Sequence, residues 1–348
     1  MITIYSDDHR YQNAQSELID GKLLPPYENP SRADTIVAHI QQSNLGAIQP
    51  PHEFGLDPIL QVHDAGFVAF LQTAWSEWLS VQGNHDALPL NWATRTMRHD
   101  RIPETIEGKL SYYSFDAGTP ITSGTWKAAT TSVNVALTGQ ELVAKGEPAV
   151  FALCRPPGHH AARDFFGGYC FLNNAAIAAQ AFCDQGAERV VVLDVDYHHG
   201  NGTQAIFYDR PDVFFISLHA HPIQSYPYFL GFEDETGAGN GEGYTRNYPL
   251  RVGTNWATYS EHLADALQHI TQYSPDALVI SLGVDTFEKD PISEFCFTSQ
   301  DYYSMGEMIA QRSQPTLIVM EGGYAIDEIG INVVNFLQGF AGDKLTQD

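Results

Sequence analysis

Cys154-Arg155-Pro156-Pro157-Gly158-His159-His160 and Leu193-Asp194-Val195-Asp196-Tyr197-His198-His199-Gly200-Asn201-Gly202-Thr203 decide how this chain reads. The first stretch sets a His pair in a Pro- and Gly-rich loop. The second sets Asp-x-Asp-x-His after the apolar run Val190-Val191-Val192-Leu193, which reads as a parallel strand buried on both faces. Carboxylates and imidazoles at the carboxyl end of such a strand lie where ligands of α/β sheets gather. Such groups are rarely buried without a partner. A purely structural hydrogen-bond network is the plainer alternative.

Outward from these stretches, apolar runs recur near Thr3–Tyr5, Ala149–Leu153, Arg189–Leu193, Val213–Leu218, Ala277–Leu282 and Thr316–Met320. Helix-like segments lie between most of them: Trp126–Ala144 (entered through Thr122-Ser123-Gly124-Thr125 and followed by Gly146), Ala175–Cys183, Trp256–Tyr273, Tyr302–Gln311 and Ile329–Gly339. This alternation predicts an α/β fold with a mostly parallel central sheet flanked by helices on both faces. Chemistry-bearing residues follow five of the strands: His159 and His160, Asp194 to His198, His219, Asp285, and Glu321 to Tyr324. Convergence of several strand ends is a stronger signal than any one motif, and it favours a site over a structural network. Gln82–Thr122 breaks the pattern, with Pro89, Trp92, Arg95, Arg98, Pro103 and Pro120 and little clean periodicity. A segment that long inside a compact domain usually has a function. Its persistent apolar residues make it an excursion from the domain, not a linker.

Asp196 and His198 are two apart, a spacing that puts both side chains on one face of an extended backbone. With Asp285 at another strand end, they offer one imidazole and two carboxylates, enough to hold a divalent ion with a position left open. Such an ion acidifies water and polarises a carbonyl. His159 and His160 offer general acid and base, and Tyr324, after Gly322-Gly323, a hydrogen bond to an oxyanion. The set points to metal-assisted hydrolysis of an amide-like bond. Two other chemistries fail on inventory. A bimetallic hydrolase wants further carboxylates beside Asp196 and Asp285, but Thr286 and Phe287 follow Asp285. A serine hydrolase wants Gly-x-Ser-x-Gly, and the sequence has none.

Composition narrows the class further. The 348 residues suffice for one large α/β domain or two ordinary ones, and 43% are hydrophobic. Cys154, Cys170, Cys183 and Cys296 show no Cys-x-x-Cys spacing, which fits a reducing, cytoplasmic compartment. The start of the sequence does not read as a signal peptide, and no apolar run reaches membrane-spanning length. Formal net charge is −24, from 42 acidic and 18 basic residues, which disfavours nucleic-acid binding and would draw cations inward.

Taken together, Arg-Pro-Pro-Gly-His-His, Asp-x-Asp-x-His-His-Gly-Asn-Gly-Thr, Gly-Val-Asp-Thr and Glu-Gly-Gly-Tyr resemble the histone deacetylase superfamily, and within it the acetylpolyamine amidohydrolases. The resemblance runs from Tyr5 to about Gly339. It implies the arginase/deacetylase fold as a single domain over 1–348, with residues 82–122 as an inserted loop that builds a homodimer and narrows the entrance. Trp92 is either an anchor of that interface, since buried aromatics often dominate such contacts, or a core tryptophan of its own chain. It implies Zn²⁺ on Asp196, His198 and Asp285, His160 as base and then acid, His159 as its electrostatic partner oriented by Asp194, and Tyr324 on the tetrahedral intermediate. Asn201 stands where many members have Asp, so the basicity of His160 should be tuned less strongly. A structural K⁺ would be held by Asp194, Asp196, His198, Ser217 and Leu218, and a weaker second one by Phe207, Arg210, Val213 and Tyr244. Gly168, Tyr169, Tyr226 and Ile292 would line the substrate tunnel, more polar here than where Phe stands in place of Tyr. Glu17 and Glu107 match acidic positions at the mouth; Gly118 replaces a third, with Asp116 nearby. The implied activity is zinc-dependent removal of acetyl groups from acetylputrescine, acetylcadaverine or acetylspermidine. An acetyl-lysine protein deacetylase is the alternative, and a catalytically silent binding protein a third reading that the intact residue set disfavours.

Overall fold

The computed structural model describes residues 1–311 and 314–342. Its ten strands are β1 (Ile2–Ile4), β2 (Glu17–Ile19), β3 (Lys22–Leu24), β4 (Ile48–Gln49), β5 (Ala149–Ala152), β6 (Val190–Asp194), β7 (Val213–Ala220), β8 (Thr245–Leu250), β9 (Ala277–Leu282) and β10 (Thr316–Met320), counted among the described residues. Eight of them form one sheet in the order β4-β1-β5-β10-β9-β6-β7-β8, while β2 and β3 pair as a separate antiparallel hairpin. Every neighbouring pair in the large sheet is parallel.

Alternation along the strands divides the core in two. Val190 and Val192 of β6, with Val213 and Phe215 of β7, pack toward the helices Ala65–Val81, Thr125–Ala144 and Asn174–Asp184. Val191 and Leu193, with Phe214 and Ile216, pack toward Ser31–Ser43, Trp256–Tyr273, Ser299–Ala310 and Ile326–Ala341. A strand covered on both faces has no polar side to present, so its sequence is a continuous apolar run. All six expected strands and all five expected helices lie within a few residues of their predicted positions. Three of these helices begin on a side-chain cap, from Asn173, Asn255 and Thr298. Asn173 accepts from the Ala176 N–H at 2.9 Å, and Thr298 with Asp301 forms a reciprocal capping box.

Both edge strands went unread. β4 has only two residues, and β8 is Thr-Arg-Asn-Tyr-Pro-Leu, with Arg246 exposed and Pro249 inside it. Proline is tolerated there because an edge strand has no partner on its outer side. The excursion also differs from expectation. It holds the helix Ile106–Tyr113, capped by Thr105, and a bridge between Ala87 and Ile121 closes it on itself. Residues 93–105 are exposed throughout and form neither helix nor strand.

Candidate active site

The four central strands, β5, β10, β9 and β6, are consecutive neighbours in the sheet, and each delivers a functional segment beyond its carboxyl end. β5 leads to His159 and His160, β10 to Glu321 and Tyr324, β9 to Asp285, and β6 to Asp194, Asp196 and His198. Asp196 and His198 do not share a face of an extended strand, because β6 stops at Asp194. Side-chain turns bring them together instead. Asp194 Oδ1 accepts from the Asp196 N–H at 3.1 Å, and Asp196 Oδ1 from the His198 N–H at 2.9 Å. Asp carboxylates commonly make such local bonds to backbone two residues on.

One ligand atom from each of Asp196, His198 and Asp285 lies within 4.8 Å of the others. His198 Nδ1 stands 2.9 Å from Asp285 Oδ2 and 3.4 Å from Asp196 Oδ1. Burial and the Asp196 charge push Asp285 up to about 7. Two adjacent buried carboxylates with one imidazole form a donor set that a divalent cation would satisfy. The backbone makes room for it: a Cβ on Gly322 would stand 2.6 Å from both Asp196 Oδ2 and Asp285 Oδ2, and one on Gly283 would fall inside contact distance of Asp196. The Gly322 N–H also donates to Asp196 Oδ2 at 2.8 Å.

The two histidines of the loop are held differently. His159 Nδ1 meets Asp194 Oδ2 at 2.9 Å. Burial pulls His159 down, but Asp196 and Asp194 outweigh it and its pKa is pushed up to about 10. His160 Nδ1 meets Asn201 Oδ1 at 2.6 Å, and its ring centre lies 4.0 Å from that of His159. Burial, then the neighbouring His159 and His198, hold its pKa well below the usual imidazole range. Asn201 Nδ2 faces the His160 carbonyl, so the amide oxygen is the acceptor, Nδ1 carries the proton and Nε2 has the lone pair.

A cavity of about 300 Å³ opens over this floor. His160, His198 and Tyr324 form its base, and Tyr169, Tyr226, Gly168, Ile292 and Leu18 stand among its walls. The rings of Tyr169 and Tyr324 lie 5.5 Å apart. Asp116 is the one carboxylate among the described lining residues, and no Lys or Arg is among them. Glu17 does not reach this wall. It is fully buried behind Tyr169, accepts from the Tyr27 N–H at 2.9 Å, and is pushed up to about 7 by burial. Glu107 lies off the cavity on the helix Ile106–Tyr113, bonded to the Gln82 amide. Trp92 is half-buried and donates to Ser114 Oγ of its own chain at 3.1 Å. For the expected monovalent sites, the register sets Asp194 opposite Ser217, with Leu218 next in β7. Phe207, Arg210, Val213 and Tyr244 gather where the helix Asn201–Phe207 turns into β7: the Arg210 N–H donates to the Phe207 carbonyl, and the Tyr244 carbonyl accepts from Phe215.

Glu321 and Arg155 stood in the sequence motifs without a stated role, and Glu28, Arg32 and Asp290 were not singled out at all. Glu321 Oε2 accepts from the N–H groups of Gly158 and His159, at 2.6 and 3.2 Å, and so holds the histidine loop. Arg32 donates to the Glu321 and Gly323 carbonyls, while Glu28 bridges Arg32 and Arg155. Asp290 Oδ2 accepts from the Tyr324 N–H at 2.7 Å. Arg155 carried a readable signal, a charge three residues after a buried strand; Glu28 and Asp290 carried none.

A profile described as the histone deacetylase domain matches residues 26–340. Acetylpolyamine amidohydrolase 2 of Pseudomonas aeruginosa is 59% identical over 98% of this chain and 99% of that protein. The acetylpolyamine amidohydrolase of Mycoplana ramosa is 50% identical over 98% and 100%. The crystal structure of an acetylpolyamine aminohydrolase from Burkholderia pseudomallei superposes with a TM-score of 0.94, at 38% identity over 98% of both chains. With this fold, this array of strand ends and these likenesses, the chain belongs to the histone deacetylase family and, within it, groups with the acetylpolyamine amidohydrolases.

Proposed function

We propose that the protein is a zinc-dependent deacetylase of small acetylated polyamines: acetylputrescine, acetylcadaverine or acetylspermidine. The observation that carries this reading is the cavity of about 300 Å³, largely apolar, with Asp116 on its wall, no basic side chain among its described lining residues, and the His160–His198–Tyr324 floor. An aliphatic chain ending in an ammonium matches those walls, and a net charge of −24 favours its approach.

Asp196, His198 and Asp285 would hold the zinc ion, which supplies Lewis acidity toward the amide carbonyl and acidifies water. His160, kept neutral with its Nε2 lone pair free, takes the proton from the attacking water and returns it to the leaving nitrogen. His159, charged beside Asp194, keeps its neighbour from protonating early. The Tyr324 hydroxyl donates to the developing oxyanion. Asp194, Asp196, His198, Ser217 and Leu218 would hold one K⁺, and Phe207, Arg210, Val213 and Tyr244 a second. Leu90, Met97 and Ile102, exposed at 87%, 51% and 53%, support a homodimer through the excursion. With four free cysteines the protein suits a reducing cytoplasm; among the described residues no helix is long and apolar enough to cross a membrane.

The test is kcat/KM on N-acetylputrescine against an acetyl-lysine peptide, with zinc content measured in parallel. A preference for acetylputrescine is expected; preference for the peptide would move the reading to a protein deacetylase. Light scattering at micromolar concentration checks the dimer, and deletion of Asn84–Met97 should give a monomer with wider substrate tolerance.

A further inference from the structure

Asp116 makes more bonds than a ligand for a substrate ammonium needs. Its Oδ1 accepts from the Gly118 N–H at 3.1 Å and from Thr119 Oγ1 at 2.9 Å. Its Oδ2 accepts from the Gly168 N–H at 2.6 Å and from the Tyr226 hydroxyl at 2.7 Å. A carboxylate has about four acceptor sites, and all are in use. Thr119 Oγ1 in turn accepts from the Tyr169 N–H at 2.9 Å. Both tyrosine walls of the cavity therefore end on one side chain.

The wall that Asp116 fixes is not one the backbone would choose. Gly168 and Tyr169 have φ of +56° and +67°. For tyrosine the left-handed region is unfavourable and persists only where its surroundings over-determine it. The bonds from Gly168 to Asp116 and from Tyr169 to Thr119 supply that constraint. On the other side, Tyr226 stacks on Phe115 at 5.8 Å and meets the His160 ring edge-on at 5.2 Å. A phenylalanine would keep those ring contacts and lose the bond to Asp116.

We propose that Asp116 is a positioning residue that sets the girth of the channel by tying Tyr226 to the Gly168–Tyr169 turn, and that the Tyr226 hydroxyl makes this chain selective for unbranched substrates. The proposal rests on the cavity being the substrate channel of the deacetylase. It deepens the functional reading from a charged substrate to a thin one.

The test uses two uncharged amides, so that loss of the Asp116 charge does not enter: linear N-butylacetamide and its counterpart branched beside the nitrogen. The readout is the ratio of their kcat/KM values in wild type, Tyr226→Phe, Asp116→Asn and the double variant. An asparagine must turn its NH₂ toward donors on one side and so breaks half the clamp. Each single variant should lower the linear-to-branched ratio by roughly tenfold, the low end for a pocket that discriminates one carbon unit. The double variant should lower it no further, because both changes open the same link. An unchanged ratio in Tyr226→Phe, or single effects that multiply in the double, would overturn the clamp. Should Asp116→Asn fail to fold, Thr119→Val, which severs the Tyr169 link at nearly constant volume, replaces it in the cycle. Wild-type preference for the acetyl-lysine peptide over acetylputrescine would instead strike the polyamine reading, since no charged substrate enters this ratio.

Discussion

The floor of the cavity and its rim are built by different rules. On the floor, Asp194, Asp196 and Asp285 are fully buried, and each is held by bonds to nearby backbone or to a facing histidine. Above the floor, Asp116, Gly118, Gly168, Tyr169, Tyr226 and Ile292 line the cavity from segments outside the ten strands. The floor stands on four adjacent strands and cannot shift without the sheet. The rim hangs on loops, joined by single long-range bonds such as that between Tyr226 and Asp116, 110 residues apart. Chemistry should therefore be fragile to single floor changes, and selectivity adjustable through the rim.

The largest effect should come from Asp285→Ala. Lewis-acid stabilisation amounts to several kcal/mol, and each ~1.4 kcal/mol is a decade in rate, so kcat/KM should fall by at least about 10³. Bound zinc should be mostly lost with the circular dichroism spectrum kept. A variant with wild-type turnover and one zinc per chain would erase the contrast between floor and rim.

Next comes Tyr324→Phe, for which kcat should fall by roughly 10²–10³, the range for one oxyanion donor, with KM changing less. Unchanged kcat would make Tyr324 a wall residue.

Glu17 sharpens the comparison from the stability side. Its folded pKa of about 7 lies above the ordinary 4.5, chiefly because of burial, so the folded state binds the extra proton. Stability from this group is therefore full below about 4.5 and is lost as pH rises through about 7. Glu17→Gln mimics the protonated form. It should raise Tm relative to wild type at pH 8, by on the order of 1 kcal/mol of stability, and leave the two equal near pH 4. Equal melting curves at both pH values would show that Glu17 is a solvated rim charge after all.

The smallest effect belongs to Glu107→Gln. Partly exposed and off the cavity, Glu107 should change KM for acetylputrescine by less than about twofold, and less still at high salt. A large, salt-sensitive rise in KM would bring it back to the mouth.

What could be read from sequence follows the same division. Strand ends were legible because a doubly covered strand writes an unbroken apolar run, as Val190–Leu193 does, and the polar residues after it stand out. The cluster of Asp196, His198 and Asp285 was reached for a partly mistaken reason. Asp196 and His198 converge through consecutive side-chain turns, not through strand alternation, although the spacing is the same. Glu17 was misplaced because nothing in Glu17-Leu18-Ile19 shows which of the three faces the channel; the hairpin geometry presents Leu18 and Ile19 and buries the carboxylate. The helix Ile106–Tyr113 was missed because Gly108 and three polar residues leave it only a weak apolar stripe. The role of Asp116 depends on Tyr226 and Gly168, and no local pattern encodes partners so far away.

Gly283 and Gly322 have one more consequence. Neither has a side chain to offer a substrate, yet a Cβ at either position would collide with the Asp196 carboxylate. A comprehensive substitution scan should show two columns of near-total intolerance at these sites, as severe as at Asp196, His198 and Asp285, and alanine should be no gentler than leucine. To an evolving lineage they are locked positions, so new specificities have to be acquired from the loops above while the backbone around Asp196 stays as it is.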